Sequence, residues 1–242
     1  MMNHIDPGAF TMLLVMGLLG GLAIMPYSTA LKPDVVLSPG MFFLSLIQML
    51  VVTAFVVWAG MKLAAVTGLG ILPLDIRVLA AAVPAGLLAG FLILTLEYYV
   101  FAPRLPEALK ALSGSIPFWK RLLACFYGGM NEEIMMRWFL MGLLAWGLGR
   151  FWSDSGGVPA RGAFWAANII AALIFGLAHL PAVVSITRLT PFLLFRTLLL
   201  NGIGGFVFGW FFWKYGLLTA MVSHFCADLM LHIVAPLFRE RP

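Results

Sequence analysis

Residues 41–61 read MFFLSLIQMLVVTAFVVWAGM, a run without a single charged side chain. At about 1.5 Å per helical residue it is long enough to cross the roughly 30 Å hydrocarbon core of a bilayer. Lipid offers no water to backbone N–H and C=O groups, so such a run closes its hydrogen bonds internally, as a helix. The pattern recurs on both sides of it. Apolar runs occupy 9–31, 78–101, 163–180, 191–213 and 217–238, and another begins at Trp119, Lys120 and Arg121 and continues to Arg150. The expected fold class is therefore all-α, a polytopic membrane bundle of about seven transmembrane helices.

Composition agrees with that reading. Of 242 residues, 62% are hydrophobic and 10% charged, with mean hydropathy +1.02. A soluble domain carries about 25% charged residues, so this chain cannot clothe a soluble globule. Lys and Arg number 15 against 10 Asp and Glu, but the cations stand singly between apolar runs. Anionic lipid headgroups account for them, and nucleic acid is not an expected partner. Cys125 and Cys226 lie inside apolar runs and read as small core residues.

The 9–31 run could be taken for a secretory signal, since Ser28 and Ala30 fit a small-residue cleavage site. Its leading segment, with His4 and Asp6, lacks Lys and Arg, so a permanent span is expected, loosened at Gly20, Gly21 and Pro26. A turn at Lys32, Pro33, Asp34 and Pro39, a connector at 62–77 with Gly68, Gly70 and Pro73, and a surface segment at 102–117 separate the first spans. Two regions of one integral membrane domain follow: 1–117, N-terminal helices and surface loop, and 118–242, which carries the chemistry. Loop cations favour an outside N-terminus and a cytoplasmic C-terminus in a plasma (inner) membrane. Lys32, Arg104, Lys110, Lys120, Arg121, Arg188, Arg239 and Arg241 would then face inward, against Lys62, Arg77, Arg150, Arg161 and Lys214 outward. Gly86/Gly90 and Gly205/Gly209 suit close helix packing inside the bundle.

An ionised side chain at a helix centre costs about 2.5 to 3.5 kcal/mol on insertion scales, so each one retained there calls for a reason. In NEEIMMR, Glu133 and Arg137 are one turn apart and can pair. Glu132 lies about 100° round the helix, without a partner on its own helix, and an isolated acid in an apolar bundle is a candidate general base. The alternative is one buried ion network of all three. FGLAH brings His179 one turn after Phe175, a weak signal alone. HFCAD places His224 and Asp228 one turn apart. Asp228 could fix the tautomer of His224, or both could face a substrate or metal. His232 continues the stripe and is expected to snorkel toward the interface near Arg239. Glu97 and Arg196 form a fourth candidate set, with Arg196 free to pair with Glu97 or with the site. Polar groups on separate apolar helices are tolerated where they face one another or a watered cavity, so convergence is expected.

The ordered set EExxxR, FxxxH and HxxxD on hydrophobic helices resembles the CPBP (Abi) family of intramembrane proteases, of CAAX protease and bacteriocin-processing type. The resemblance covers the C-terminal half of the chain. It implies that Glu132 activates the attacking water with His179 as partner, that His224 and Asp228 stabilise the oxyanion, and that Glu133 and Arg137 give structural support. The substrate implied is a membrane-associated, prenylated or precursor peptide, or another membrane protein. Well-known members carry Asn where this chain has Asp228, and an ionised aspartate cannot donate to an oxyanion, so Asp228 must be protonated or act through His224. Glu132, His179, His224 and Asp228 could also ligate a divalent metal such as zinc, although the HExxH helix is absent. The metal-free chemistry is preferred. Ser45 and Ser223 lie in no GxSxG elbow, which disfavours a serine triad. The competing class is a non-catalytic membrane protein using the same residues as a proton or ion relay or a partner site.

Overall fold

The computed structural model describes residues 6–31, 38–71, 75–111 and 116–239. Of the elements expected from sequence, His4, the turn at Lys32, Pro33 and Asp34, Pro73 of the connector and Arg241 lie outside them. The described residues contain helices and no strand beyond a single bridge between Ser153 and Pro159. Helix α1 spans Pro7–Leu31, α2 Pro39–Thr67 and α3 Ile76–Leu96, the last continuing through a π turn at Glu97–Phe101 and a 3-10 turn at Ala102–Arg104. The short α4, Glu107–Ala111, occupies the surface segment. Helix α5 is one unbroken helical run over 118–149, joined from Phe118–Phe126, π turns at Tyr127–Glu132 and Ile134–Met141, and Gly142–Gly149. Then come α6, Arg161–Ala178, with a further turn at Leu180–Val184, α7, Pro191–Tyr215, and α8, Leu217–Asp228, extended through a π turn at Leu229–Val234 and Ala235–Arg239.

Local chemistry explains several of these limits. Ser38 caps α2 by accepting from the Met41 N–H at 3.3 Å, with Pro39 at the first position. Asp75 does the same for α3 through Arg77 N–H at 2.8 Å, and Thr190 for α7 through Leu193 N–H at 3.2 Å. Gly68 and Gly216, at φ +74° and +84°, end α2 and α7 in the left-handed region open to glycine. The Leu217 N–H then donates to the Gly70 carbonyl at 3.1 Å, tying the α7–α8 corner to the end of α2.

Six helical runs are long and apolar enough to span a membrane: Pro7–Leu31, Pro39–Thr67, Ile76–Arg104, Arg161–Val184, Pro191–Tyr215 and Leu217–Leu237. They correspond to six of the seven expected spans. The seventh, α5, has the length but not the hydropathy, because Lys120, Arg121, Glu132, Glu133 and Arg137 interrupt it. The exterior is apolar, with Phe43, Leu44, Val51, Leu88 and Phe91 all exposed, as lipid-facing surface requires.

The most apolar window of α8 is 50% buried and that of α2 only 17%, so α8 is central and α2 peripheral. Glycines set the close contacts. Gly86 abuts the Ser223 backbone, and a methyl on Gly90 would lie 2.8 Å from the Ala227 carbonyl oxygen, which draws α3 onto α8. Gly205 packs against Ala172 and Gly209 against Asn168, drawing α7 onto α6. Both glycine pairs are thus used inside the bundle. Leu13, Val57, Ile134, Met141, Phe212 and Leu217 form the core that holds α1, α2, α5, α7 and α8 together.

Candidate active site

Helix α5 sends two consecutive acids in different directions. Glu133 turns into the bundle, where its side chain is fully buried and Oε1 stands 2.8 Å from His224 Nδ1 on α8. A carboxylate oxygen accepts, so Nδ1 carries the proton and donates it. The other oxygen, Oε2, is 3.3 Å from Arg137 Nε one turn later. The expected Glu133–Arg137 pair is therefore present, and it is continuous with His224. Arg137 is wholly buried, its guanidinium carbon 4.9 Å from the centre of the Phe175 ring and 5.8 Å from that of Phe208. It makes no hydrogen bond within the protein among the described residues, so charge and aromatic faces hold it.

Glu132 faces the other way and is 19% exposed. Its Oε2 lies 3.8 Å from His224 Nε2, and Asp228 Oδ1 lies 3.7 Å from the same nitrogen. Glu132 thus has no partner on its own helix but meets an imidazole across the bundle. The sequence leaves two readings of Asp228 open, control of the His224 tautomer or a shared face toward a substrate or metal. Asp228 stands beside Nε2, and it is Glu133 at Nδ1 that fixes the tautomer and orientation of His224, because α5 reaches the inner edge of that ring and the i+4 carboxylate does not.

His179 ends α6. Its Nδ1 is 2.8 Å from the Phe175 carbonyl oxygen, an acceptor, so Nδ1 is the protonated nitrogen and Nε2 keeps a lone pair. The Phe175 ring touches both imidazoles edge-on, with centroids 4.7 Å from His179 and 5.8 Å from His224, while Phe208 stacks flat on His224 at 4.3 Å. The aromatic rings leave the histidines little freedom to turn.

A cavity of about 400 Å³ unites these groups, and Glu132, His179, His224 and Asp228 all line it. Glu133 does not. Gly128 supplies the closeness of α5 and α8 at its wall: a methyl there would overlap Asp228 Oδ2 and lie 3.2 Å from His224 Nε2. Sequence reasoning missed other lining residues, among them Tyr27, Tyr127 and Asn201. Asn201 could have been found as a carboxamide within an apolar span. His232 also lines the cavity and meets Tyr27 edge-on at 5.6 Å. The polar stripe of α8 thus continues past Asp228 along the cavity. Glu97 and Arg196 form a separate bidentate pair at 2.7 and 2.8 Å, outside the cavity wall.

The carboxylates and imidazoles have the donor chemistry for a divalent ion. Among the described residues, however, no three His, Cys, Asp or Glu side chains are grouped closely enough to hold one.

No curated protein and no solved structure matches the chain. The family model for the type II CAAX prenyl endopeptidase Rce1-like proteins matches residues 114–230, a segment that contains Glu132, Glu133, Arg137, His179, His224 and Asp228. The order of these residues, their convergence and the helical membrane architecture agree with that match, and this segment, just under half of the chain, is similar to the Rce1-like family of type II CAAX prenyl endopeptidases.

Proposed function

We propose that the protein hydrolyses a peptide bond near the C-terminus of a prenylated or other membrane-associated CAAX-type precursor, using water activated by Glu132. The observation that carries this reading is the shared cavity, in which the most exposed acid of the cluster faces an imidazole already oriented from behind. Glu132 takes a proton from a water molecule whose position is fixed by a hydrogen bond to the His179 Nε2 lone pair. The water oxygen bonds to the scissile carbonyl carbon. His224 enters the reaction as the imidazolium, Nδ1 donating to Glu133 and Nε2 to the developing oxyanion, and Asp228 beside Nε2 stabilises that charge throughout. Collapse of the tetrahedral intermediate breaks the C–N bond, and the proton held by Glu132 passes to the leaving amine. Asp228 therefore contributes through His224, and no donation by an ionised aspartate is required.

Every step uses side chains of the chain itself. A resident metal is not part of the proposal, since the donors are not gathered around a common point. Glu133 and Arg137 hold His224 and balance its charge. The cavity reaches Leu31, Ala182 and His232, at the ends of helices bordered by Lys120, Arg121 and Arg188. By the positive-inside rule this mouth faces the cytoplasm, with the N-terminus outside.

The test is Glu132→Gln in proteoliposomes, assayed on a farnesylated CAAX peptide, with and without exhaustive chelation of the wild type. Cleavage should vanish in the variant while insertion and melting temperature hold, and the chelated wild type should stay active. A variant that still cleaves would refute the assignment and restore the relay reading. Loss on chelation, reversed by added zinc, would overturn the metal-free chemistry.

A further inference from the structure

The mechanism above leaves one polar group of the cavity without a task. Asn201 lies within α7, in the sequence LLLNGIGGF, and its side chain reaches the cavity that holds Glu132, His179, His224 and Asp228. A carboxamide at membrane depth is costly unless it faces a polar partner or a watered space. Asn201 is only partly provided for by its own helix. One Nδ2 proton donates to the Thr197 carbonyl at 2.8 Å, a bond that fixes the plane of the amide. Its second Nδ2 proton and Oδ1 are uncommitted among the described residues.

Its height in the bundle is set by the packing of α7 on α6. Gly176 sits against Leu198 and Gly205 against Ala172, so Asn201 is level with the helical turn that carries Phe175. The ring of Phe175 touches His179 on one side and His224 on the other. The amide therefore shares the cavity wall with the two imidazoles, near the turn that carries Phe175. A peptide carbonyl attacked by water held at His179 and Glu132, and steadied by His224, would occupy the cavity that this amide lines.

The four groups assigned to the reaction offer few donors to that carbonyl. Glu132 and Asp228, when ionised, only accept, and His179 turns its lone pair to the cavity. His224 alone supplies an N–H. We infer that Asn201 is a further catalytic residue, its free Nδ2 proton hydrogen-bonding the scissile carbonyl oxygen and completing a two-donor oxyanion site with His224 Nε2. The inference rests on the proposed hydrolytic function. A neutral amide is suited to the task because it donates whatever the protonation of the surrounding acids.

The experiment compares Asn201→Leu, branched at Cγ like asparagine, and Asn201→Asp, close to it in volume, with the wild type and with Glu132→Gln on the same farnesylated CAAX peptide in proteoliposomes. Each Asn201 variant should lose about 100-fold in kcat with KM changed by less than about threefold, as expected when a donor acts on the oxyanion rather than on the ground state. Melting temperature is measured alongside, and Asn201→Gln gives a check that keeps the amide. Recovery of at least tenfold in Gln over Leu supports donation. Wild-type kcat in a folded Leu variant, with Glu132→Gln inactive, would overturn the role of Asn201 and leave the hydrolytic reading standing. A fully active Glu132→Gln, or a wild type inert toward the peptide, would overturn both.

Discussion

Adding one methyl group at Gly128 tests the site without replacing a proposed catalytic side chain. The new Cβ would overlap Asp228 Oδ2 and stand 3.1 Å from its Cγ and 3.2 Å from His224 Nε2. Ordinary contacts are about 3.5 to 4.0 Å, so the Asp228 carboxylate must retreat by about 1 Å or α5 and α8 must part. A misplacement of about 1 Å in a reacting constellation costs about 100-fold in rate, equivalent to about 2.7 kcal/mol of barrier. Overpacking costs about 1 to 3 kcal/mol of stability, and replacing a helical glycine by alanine returns about 0.8 to 1 kcal/mol. The net cost to folding stability is therefore about 0 to 2 kcal/mol, below the catalytic loss. Gly128→Ala should lower kcat/KM on a CAAX peptide about 100-fold while shifting the melting temperature by only a few degrees. Gly147→Ala, in the same helical run with no atom within 4 Å of the added methyl, is the control and should keep wild-type kcat/KM with an equal or slightly higher melting temperature. Wild-type kcat/KM in Gly128→Ala would refute the claim that the close approach of α5 to Asp228 sets the active geometry.

Two predictions concern the buried charges. Arg137→Ala leaves Glu133 buried beside His224 without its cation, which should cost about 3 to 5 kcal/mol and reduce folded protein recovered in detergent; an unchanged melting temperature would contradict the supporting role of Arg137. Glu97→Leu or Arg196→Leu alone should destabilise the protein clearly, whereas the double replacement should recover most of the loss, because the bidentate pair is partly withdrawn from water. A double-mutant cycle by thermal unfolding measures this coupling, and strictly additive losses would count against it.

Much of this architecture was legible in the sequence because lipid imposes a simple demand: apolar runs long enough to cross must be helices. The 118–149 run shows where that signal weakens. The acids and arginine that make it functional also remove it from the set of plainly apolar spans. The site was legible as a list of misplaced polar residues, but their pairing was not. Spacing links His224 to Asp228, since they share a helix face, while the shorter contact runs from His224 to Glu133 across two helices. That choice depends on the rotation and depth of α5 against α8, which Gly128 and the packing of neighbouring helices determine. Asn201 escaped notice because a single uncharged amide in an apolar run resembles the side chains that merely bond back to their own helix.

The widened turns of α5 give the helix freedom that a regular spiral lacks. Such turns accommodate an additional residue and rotate everything beyond them relative to the preceding stretch. In 127–141 they separate two obligations of the same segment, so the stripe that grips its neighbours need not follow the same spiral as the acids that face the hollow. Selection could thus alter the lipid-facing surface on either side of Glu132 and Glu133 while the aim of both carboxylates is kept.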